Sequence, residues 1–187
     1  MKPFLQYGPY IAIDFETSAY GGPCACAVGM VRMENLEVVD SFYALIRPPS
    51  SRICFTNIHG LTWQILKNER PFAQVWPEMA AFMAGARYFI AHNARFDQGV
   101  LMRCCAANSI PVPSRPFLCT LKGARAGLKL RNNGLAALCA HFEIELDHHN
   151  AASDARACGL LHARLIKMGI SDKQMLLSPA RRMAQVA

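Results

Sequence analysis

An apolar run that ends in two acids two residues apart, Tyr-Ile-Ala-Ile-Asp-Phe-Glu at 10–16, can be placed in few positions of a fold. Read as a strand, it projects residues i and i+2 from the same face. Asp14 and Glu16 then point to one spot at the strand's C-terminal end, and the apolar residues before them make this a central strand. Acids are scarce, 13 Asp and Glu among 187 residues. Two of them closing an apolar run, where a core would resist them, need a cause.

Two further acids occur in comparable settings. Asp97 ends His-Asn-Ala-Arg-Phe-Asp, just after the short buried run 88–92, and Asp154 follows His149 by five positions in His-Asn-Ala-Ala-Ser-Asp. Asp97 falls near the start of a helix and Asp154 in the first turn of another. If all four carboxylates converge, their mutual repulsion raises their pKa values unless cations are present. Mg²⁺ or Mn²⁺ answers this, because hard cations take oxygen ligands. Two such ions about 3.5–4 Å apart suit an in-line phosphoryl displacement. His149, with an imidazole pKa near 6.5, suits the base that takes a proton from water. His148 adjoins it; the spacing to Asp154 favours His149 and leaves His148 facing solvent.

Around these sites the chain reads as three strands, 10–16, 24–33 and 36–46, joined by short connections as an antiparallel meander. Helices and strands alternate after Pro48-Pro49: helices at 62–67, 72–83, 94–108, 134–142 and 151–168, strands at 88–92 and 117–120. In the helix at 94–108, Phe96, Val100, Leu101 and Cys104 share one apolar face. The implied class is α/β, a mixed sheet flanked by helices. One domain over 1–170 accounts for the length, and 171–187 is a more polar tail or short helix. No stretch approaches the roughly 20 apolar residues of a membrane span, and no export signal is evident, so the expected location is cytoplasmic. The eight cysteines form no paired C-x-x-C sites and read as reduced, mostly buried thiols.

Charge points to a partner. The net charge is +7, and no acid lies between Asp97 and Glu143, an interval that holds Arg103, Arg115, Lys122, Arg125, Lys129 and Arg131. A charge cluster alone is more often a solvated face; beside a carboxylate site it gains weight as a track for a polyanion.

The three motifs together, in this order, resemble those of the DEDDh 3′–5′ exonucleases, which include the proofreading (epsilon) subunit of bacterial DNA polymerase III, RNase T and oligoribonuclease. The resemblance covers about residues 8–168. It implies a ribonuclease H-like fold, a five-stranded mixed sheet with the three antiparallel strands first. It implies two divalent metal ions held by Asp14, Glu16, Asp97 and Asp154, with His149 as general base. The segment Asn57-Ile-His-Gly-Leu-Thr62 resembles the family's terminal-nucleotide segment, so His59 either contacts substrate or holds its loop. Phe15, Thr17 and Asn93 are further substrate-binding candidates, with plain core as the other reading of Phe15. The implied substrate is a single-stranded 3′ end, DNA ahead of RNA. The alternatives are an RNA 3′-end exonuclease and a nucleic-acid-binding or polymerase-accessory module active only with a partner. A homodimer or a polymerase partner is compatible with either. The loop Thr17-Ser-Ala-Tyr-Gly21 departs from the family's common Thr-Gly, which shapes the pocket differently.

Overall fold

A computed structural model describes residues 8–177. Three strands come first: β1 (Tyr10–Thr17), β2 (Ala25–Glu34) and β3 (Glu37–Leu45). They pair antiparallel, with Asp14 opposite Gly29 in the β1–β2 register. Two short turns, α1 (Thr56–His59) and α2 (Trp63–Leu66), lead to α3 (Phe72–Phe82). Then β4 (Tyr88–Ala91) joins β1 in parallel, α4 (Arg95–Ala107) follows, and β5 (Phe117–Cys119) joins β4 in parallel. The chain continues through α5 (Thr120–Gly127), α6 (Leu135–Phe142), α7 (Ala151–Lys167) and α8 (Asp172–Met175). The sheet order is β3-β2-β1-β4-β5. This is the expected α/β, ribonuclease H-like sheet, with β1 at its centre.

Each face of the sheet carries its own core, and the period of two along β1 decides which residue serves which. Ile11, Ile13 and Phe15 join the cluster formed with α3 and α4 residues such as Val75, Met79, Val100 and Leu101. Tyr10 and Ala12 join the cluster formed with α7, including Ala155, Cys158 and Leu161. Asp14 and Glu16 continue the even series, so they emerge on the α7 side, where Asp154 waits.

The helix α5 was not expected. It holds two glycines, residues of low helix propensity, and packing requires the absence of a side chain at the first: a Cβ at Gly123 would come within 2.9 Å of the Met175 sulfur. Phe96 is also placed differently from the expected apolar face. It is 45% exposed, because α4 begins at the sheet's polar end and its first turn overhangs the cleft there. All eight cysteines are unpaired, and only Cys54 is exposed.

Residues 171–177 pack onto the domain. Asp172 accepts from the Tyr10 hydroxyl at 3.0 Å and contacts His162 Nε2 at 2.7 Å, all three residues being buried. Burial and the neighbouring Asp172 carboxylate push the Tyr10 phenol up. Residues 178–187 lie outside the described region. Asp172→Ala leaves a hydroxyl and an imidazole buried without their acceptor, which costs about 3 kcal/mol. We expect the melting temperature to fall by roughly 6–12 °C, and Asp172→Asn, which keeps one acceptor, to lose less. Equal stability of the alanine variant and wild type in thermal unfolding would show that this network contributes nothing.

Candidate active site

Four carboxylates reach one end of the sheet from three elements. Asp14 and Glu16 close β1, Asp97 sits in the first turn of α4 and Asp154 in the first turn of α7. Oxygens of Asp14, Glu16 and Asp154 lie within 4.8 Å of one another. Asp97 is buried beneath them, and its Oδ1 accepts the Phe15 backbone N–H at 3.1 Å. That bond ties α4 to the backbone of β1 midway between the two strand acids.

The electrostatics follow from this crowding. Burial pushes the Asp14 carboxyl well above the usual range, and the charges of Asp97, Asp154 and Glu16 push it further. Glu16 rises to about 7, from burial first and the Asp154 charge second. Burial raises Asp97 as well, against the backbone hydrogen bonds that favour its charged form. No basic side chain forms a salt bridge with Asp14, Glu16 or Asp97 among the described residues. A cluster in which these three acids have no salt-bridge partner, offering hard oxygen donors, fits divalent cations.

Asp154 is held by the loop before α7. Its Oδ2 accepts the His149 backbone N–H at 2.9 Å, and its Oδ1 lies 3.1 Å from His148 Nδ1. The two imidazoles stack with centroids 3.9 Å apart. His148 was expected to face solvent. Its ring is 42% exposed but turns toward Asp154, because the left-handed backbone at His149 (φ 69°) folds the loop back over the helix start.

A cleft of about 700 Å³ opens over the acids, and Phe15, Thr17, His59, Asn93, His148 and His149 are among the residues lining it. Their roles separate on contact. The Phe15 ring belongs to the core, so what Phe15 brings to the site is its N–H on Asp97. His59 Nδ1 accepts the Leu61 N–H at 3.1 Å, which leaves Nε2–H to donate to the Thr17 carbonyl at 3.1 Å. Both ring nitrogens thus brace the loop against the end of β1. Asn93 is exposed in a left-handed turn (φ 61°) at the cleft wall.

Several lining residues had drawn no functional reading of their own from the sequence, although Tyr20 and Ile58 lie in segments read as shaping the pocket. Tyr20, Ile58 and Phe96 are exposed apolar side chains around the cleft, and Tyr20 packs edge-on against Phe55 at 4.6 Å. Each is a large apolar residue close to an acidic or His-Gly motif, the one signal that could have marked it. His92 also lines the cleft and donates to or accepts from Thr120 Oγ1 at 2.9 Å. Burial lowers its pKa to about 4, helped by the charges of Arg125 and His148. The basic interval is partly committed to structure: Lys122 Nζ donates to the Leu176 carbonyl and Arg103 Nε to that of Gly22.

A family model described as exonuclease matches residues 11–161. The chain belongs to the exonuclease family. Its Asp-Glu-Asp-Asp set and neighbouring histidine are those that mark the family's DEDDh members in the sequence motifs. Among curated relatives, the chain is 31% identical over 168 residues to a DNA polymerase III PolC-type of Streptococcus thermophilus, covering 87% of this chain and 11% of that protein. It is 29% identical over 164 residues to the PolC-type enzyme of Thermotoga maritima, covering 85% and 12%. The chain therefore spans only about an eighth of the length of these relatives. Among solved structures, it superposes on exonuclease X in complex with 5′ overhanging duplex DNA with a TM-score of 0.72 at 22% identity, covering 89% of this chain and 96% of that one. For the nuclease domain of 3′hExo, a DEDDh family member bound to rAMP, the TM-score is 0.77 at 17% identity, covering 95% and 98%. These likenesses are of fold. No helix among the described residues is long and apolar enough to cross a membrane.

Proposed function

We propose that this exonuclease-family chain removes nucleotides from single-stranded 3′ ends, DNA in preference to RNA, using two divalent cations, Mg²⁺ or Mn²⁺. The observation that carries this reading is the convergence of Asp14, Glu16, Asp97 and Asp154 beneath an open cleft, with His149 on the loop above. The DNA preference rests on the PolC-type relatives, which are DNA polymerases by name. An RNA 3′-end substrate is the second reading, favoured by the fold's likeness to a nuclease domain bound to rAMP. A polymerase partner is suggested by the same relatives, and the compartment proposed is the cytoplasm.

The chain's own residues divide the work. Asp14, Glu16 and Asp154 hold the cations, and Asp97, pinned by the Phe15 N–H, completes the set from below. When bound, the cations polarise the phosphodiester and acidify the attacking water. His149 takes that proton on a ring nitrogen, its backbone N–H locked to Asp154 so that base and ligand move together. Tyr20, Phe55 and Phe96 supply apolar faces at the cleft mouth on which a terminal base can rest, by stacking that is tolerant of sequence. His59 positions the loop beneath it.

The test is a degradation ladder on 5′-labelled single-stranded DNA and RNA of one sequence, with Mg²⁺ or Mn²⁺ and with His149→Ala as control. Shortening from the 3′ end, lost in the variant, supports the assignment. No cleavage of either strand by the folded, metal-loaded chain points to a module that needs a partner.

Arg125 and Lys129 remain available for phosphate tracking, Arg125 close enough to the cleft to influence His92. Reversing both to glutamate is expected to weaken single-strand binding and to flatten the dependence of affinity on salt by about 1 to 2 in log–log slope. An unchanged slope would move the binding track elsewhere.

A further inference from the structure

Two groups of side chains could ligate a cation among the described residues, and they share one member. Asp14, Glu16 and Asp154 offer oxygens only, whereas His148, His149 and Asp154 offer two imidazoles and one carboxylate within 4.8 Å. We propose that this second group is a site for Zn²⁺ or a similar borderline transition ion, and that its occupation switches the nuclease off.

The chemistry of the two groups differs in kind. Hard Mg²⁺ and Mn²⁺ prefer carboxylate and water, whereas imidazole suits zinc. Two histidines and a carboxylate leave the fourth tetrahedral position open, a common arrangement for zinc. The spacing is close to ready. His148 Nδ1 stands 3.1 Å from Asp154 Oδ1, near the roughly 3.3 Å between neighbouring ligands around a tetrahedral ion with bonds of about 2.0–2.1 Å. The second imidazole lies stacked on the first, with an interplanar angle of 19°; because a ring-nitrogen lone pair lies in the plane of its ring, His149 must turn out of the stack to share the ion, which its exposed position allows.

The loop's backbone is braced for this while the rings are held only by each other and by Asp154. The Asp147 N–H donates to Ser153 Oγ at 2.8 Å, the Asn150 side chain caps α7 through the Ala152 N–H, and the His149 N–H holds Asp154. Both histidines are exposed, so no packed core opposes their turning out of the stack over a fixed backbone. The nuclease reading gives His148 no task, and the zinc site gives it one.

The consequence rests on that nuclease reading. A zinc ion here occupies the nitrogen lone pair with which His149 accepts a proton and draws off an oxygen of Asp154. Hydrolysis then stops although Mg²⁺ is plentiful, and a chelator restores it.

The experiment separates binding from activity. Zn²⁺ affinity of the metal-free chain is measured by competition with a chromophoric chelator, and Co²⁺ reports geometry through its visible absorption. Wild type is expected to bind one zinc, to give an intense tetrahedral cobalt spectrum, and to lose at least about 100-fold in zinc affinity in His148→Ala. Asp14→Asn, outside the nitrogen group, should keep the affinity. Zinc added to the Mg²⁺-driven ladder should inhibit wild type and spare His148→Ala, each scaled to its own zinc-free rate. Equal affinity in wild type and His148→Ala, or a matching loss in Asp14→Asn, overturns the site. Binding through His148 without inhibition overturns the switch. Absence of hydrolysis in every form would defeat the nuclease reading, while the affinity difference would still decide the zinc site.

Discussion

Asp14→Asn is expected to lower the hydrolytic rate on the order of 10³-fold and, in metal-free buffer at pH 8, to raise the melting temperature. Both effects have one origin. Asp14 is held well above the usual carboxylate range by burial and by three neighbouring acids, so the folded chain bears unfavourable charge that only cations relieve. Glu16 shows the sign. Its folded pKa of about 7 exceeds the ordinary 4.5, so the folded state binds more protons than the unfolded state between those values. Stability is therefore fully present below pH 4.5 and is lost as pH rises through 7. Asp97 adds in the same direction. Amidating Asp14 removes one charge from the cluster, and we expect a gain of roughly 3–6 °C at pH 8 without metal. Mg²⁺ should raise the wild-type melting temperature more at pH 8 than at pH 5. A variant that cleaves at the wild-type rate, or melts lower without metal at pH 8, would contradict the carboxylate assignment.

Gly29→Ala is the second large effect, and it touches no acid. Gly29 lies opposite Asp14 in the β1–β2 register, and the first turn of α7 sits directly on it. A Cβ there would overlap the Ala151 carbonyl and come within 2.6 Å of Ala152 N. These are backbone atoms, so no rotamer change relieves the clash. The N-terminus of α7 must lift, taking His149 and Asp154 away from β1. Overpacking of this kind costs about 1–3 kcal/mol, and a misplacement near 1 Å costs about 10²-fold in rate. Thermal unfolding and the ladder assay should therefore both report a loss. Wild-type activity in the variant would mean that the helix start does not set the site's geometry.

The strand acids were legible because a period of two is a local property: Asp14 and Glu16 share a face whatever else the chain does. The position of Asp154 in the first turn of an apolar helix was legible too, while its pairing with His149 gained weight only beside the other two motifs. Neither α5 nor the exposure of Phe96 was legible. The glycines of α5 count against a helix until Met175 is known to press on Gly123 and Ile170 on Gly127, and Phe96 fits the apolar period of α4 until the cleft is known to open beside it.

The division is physical. Residue chemistry and local period, which the amino-acid sequence alone carries, determined the central strand and the α/β class, and the three motifs in their order carried the resemblance to the exonuclease family. Only the tertiary structure decided which face of the sheet Asp14 and Glu16 share with α7, how Phe15 N–H pins Asp97, and that the ring nitrogens of His59 are spent on Leu61 of its own loop and on the Thr17 carbonyl of β1. It also brought His148 onto Asp154. Those outcomes depend on contacts between residues far apart along the chain, and no local pattern encodes them.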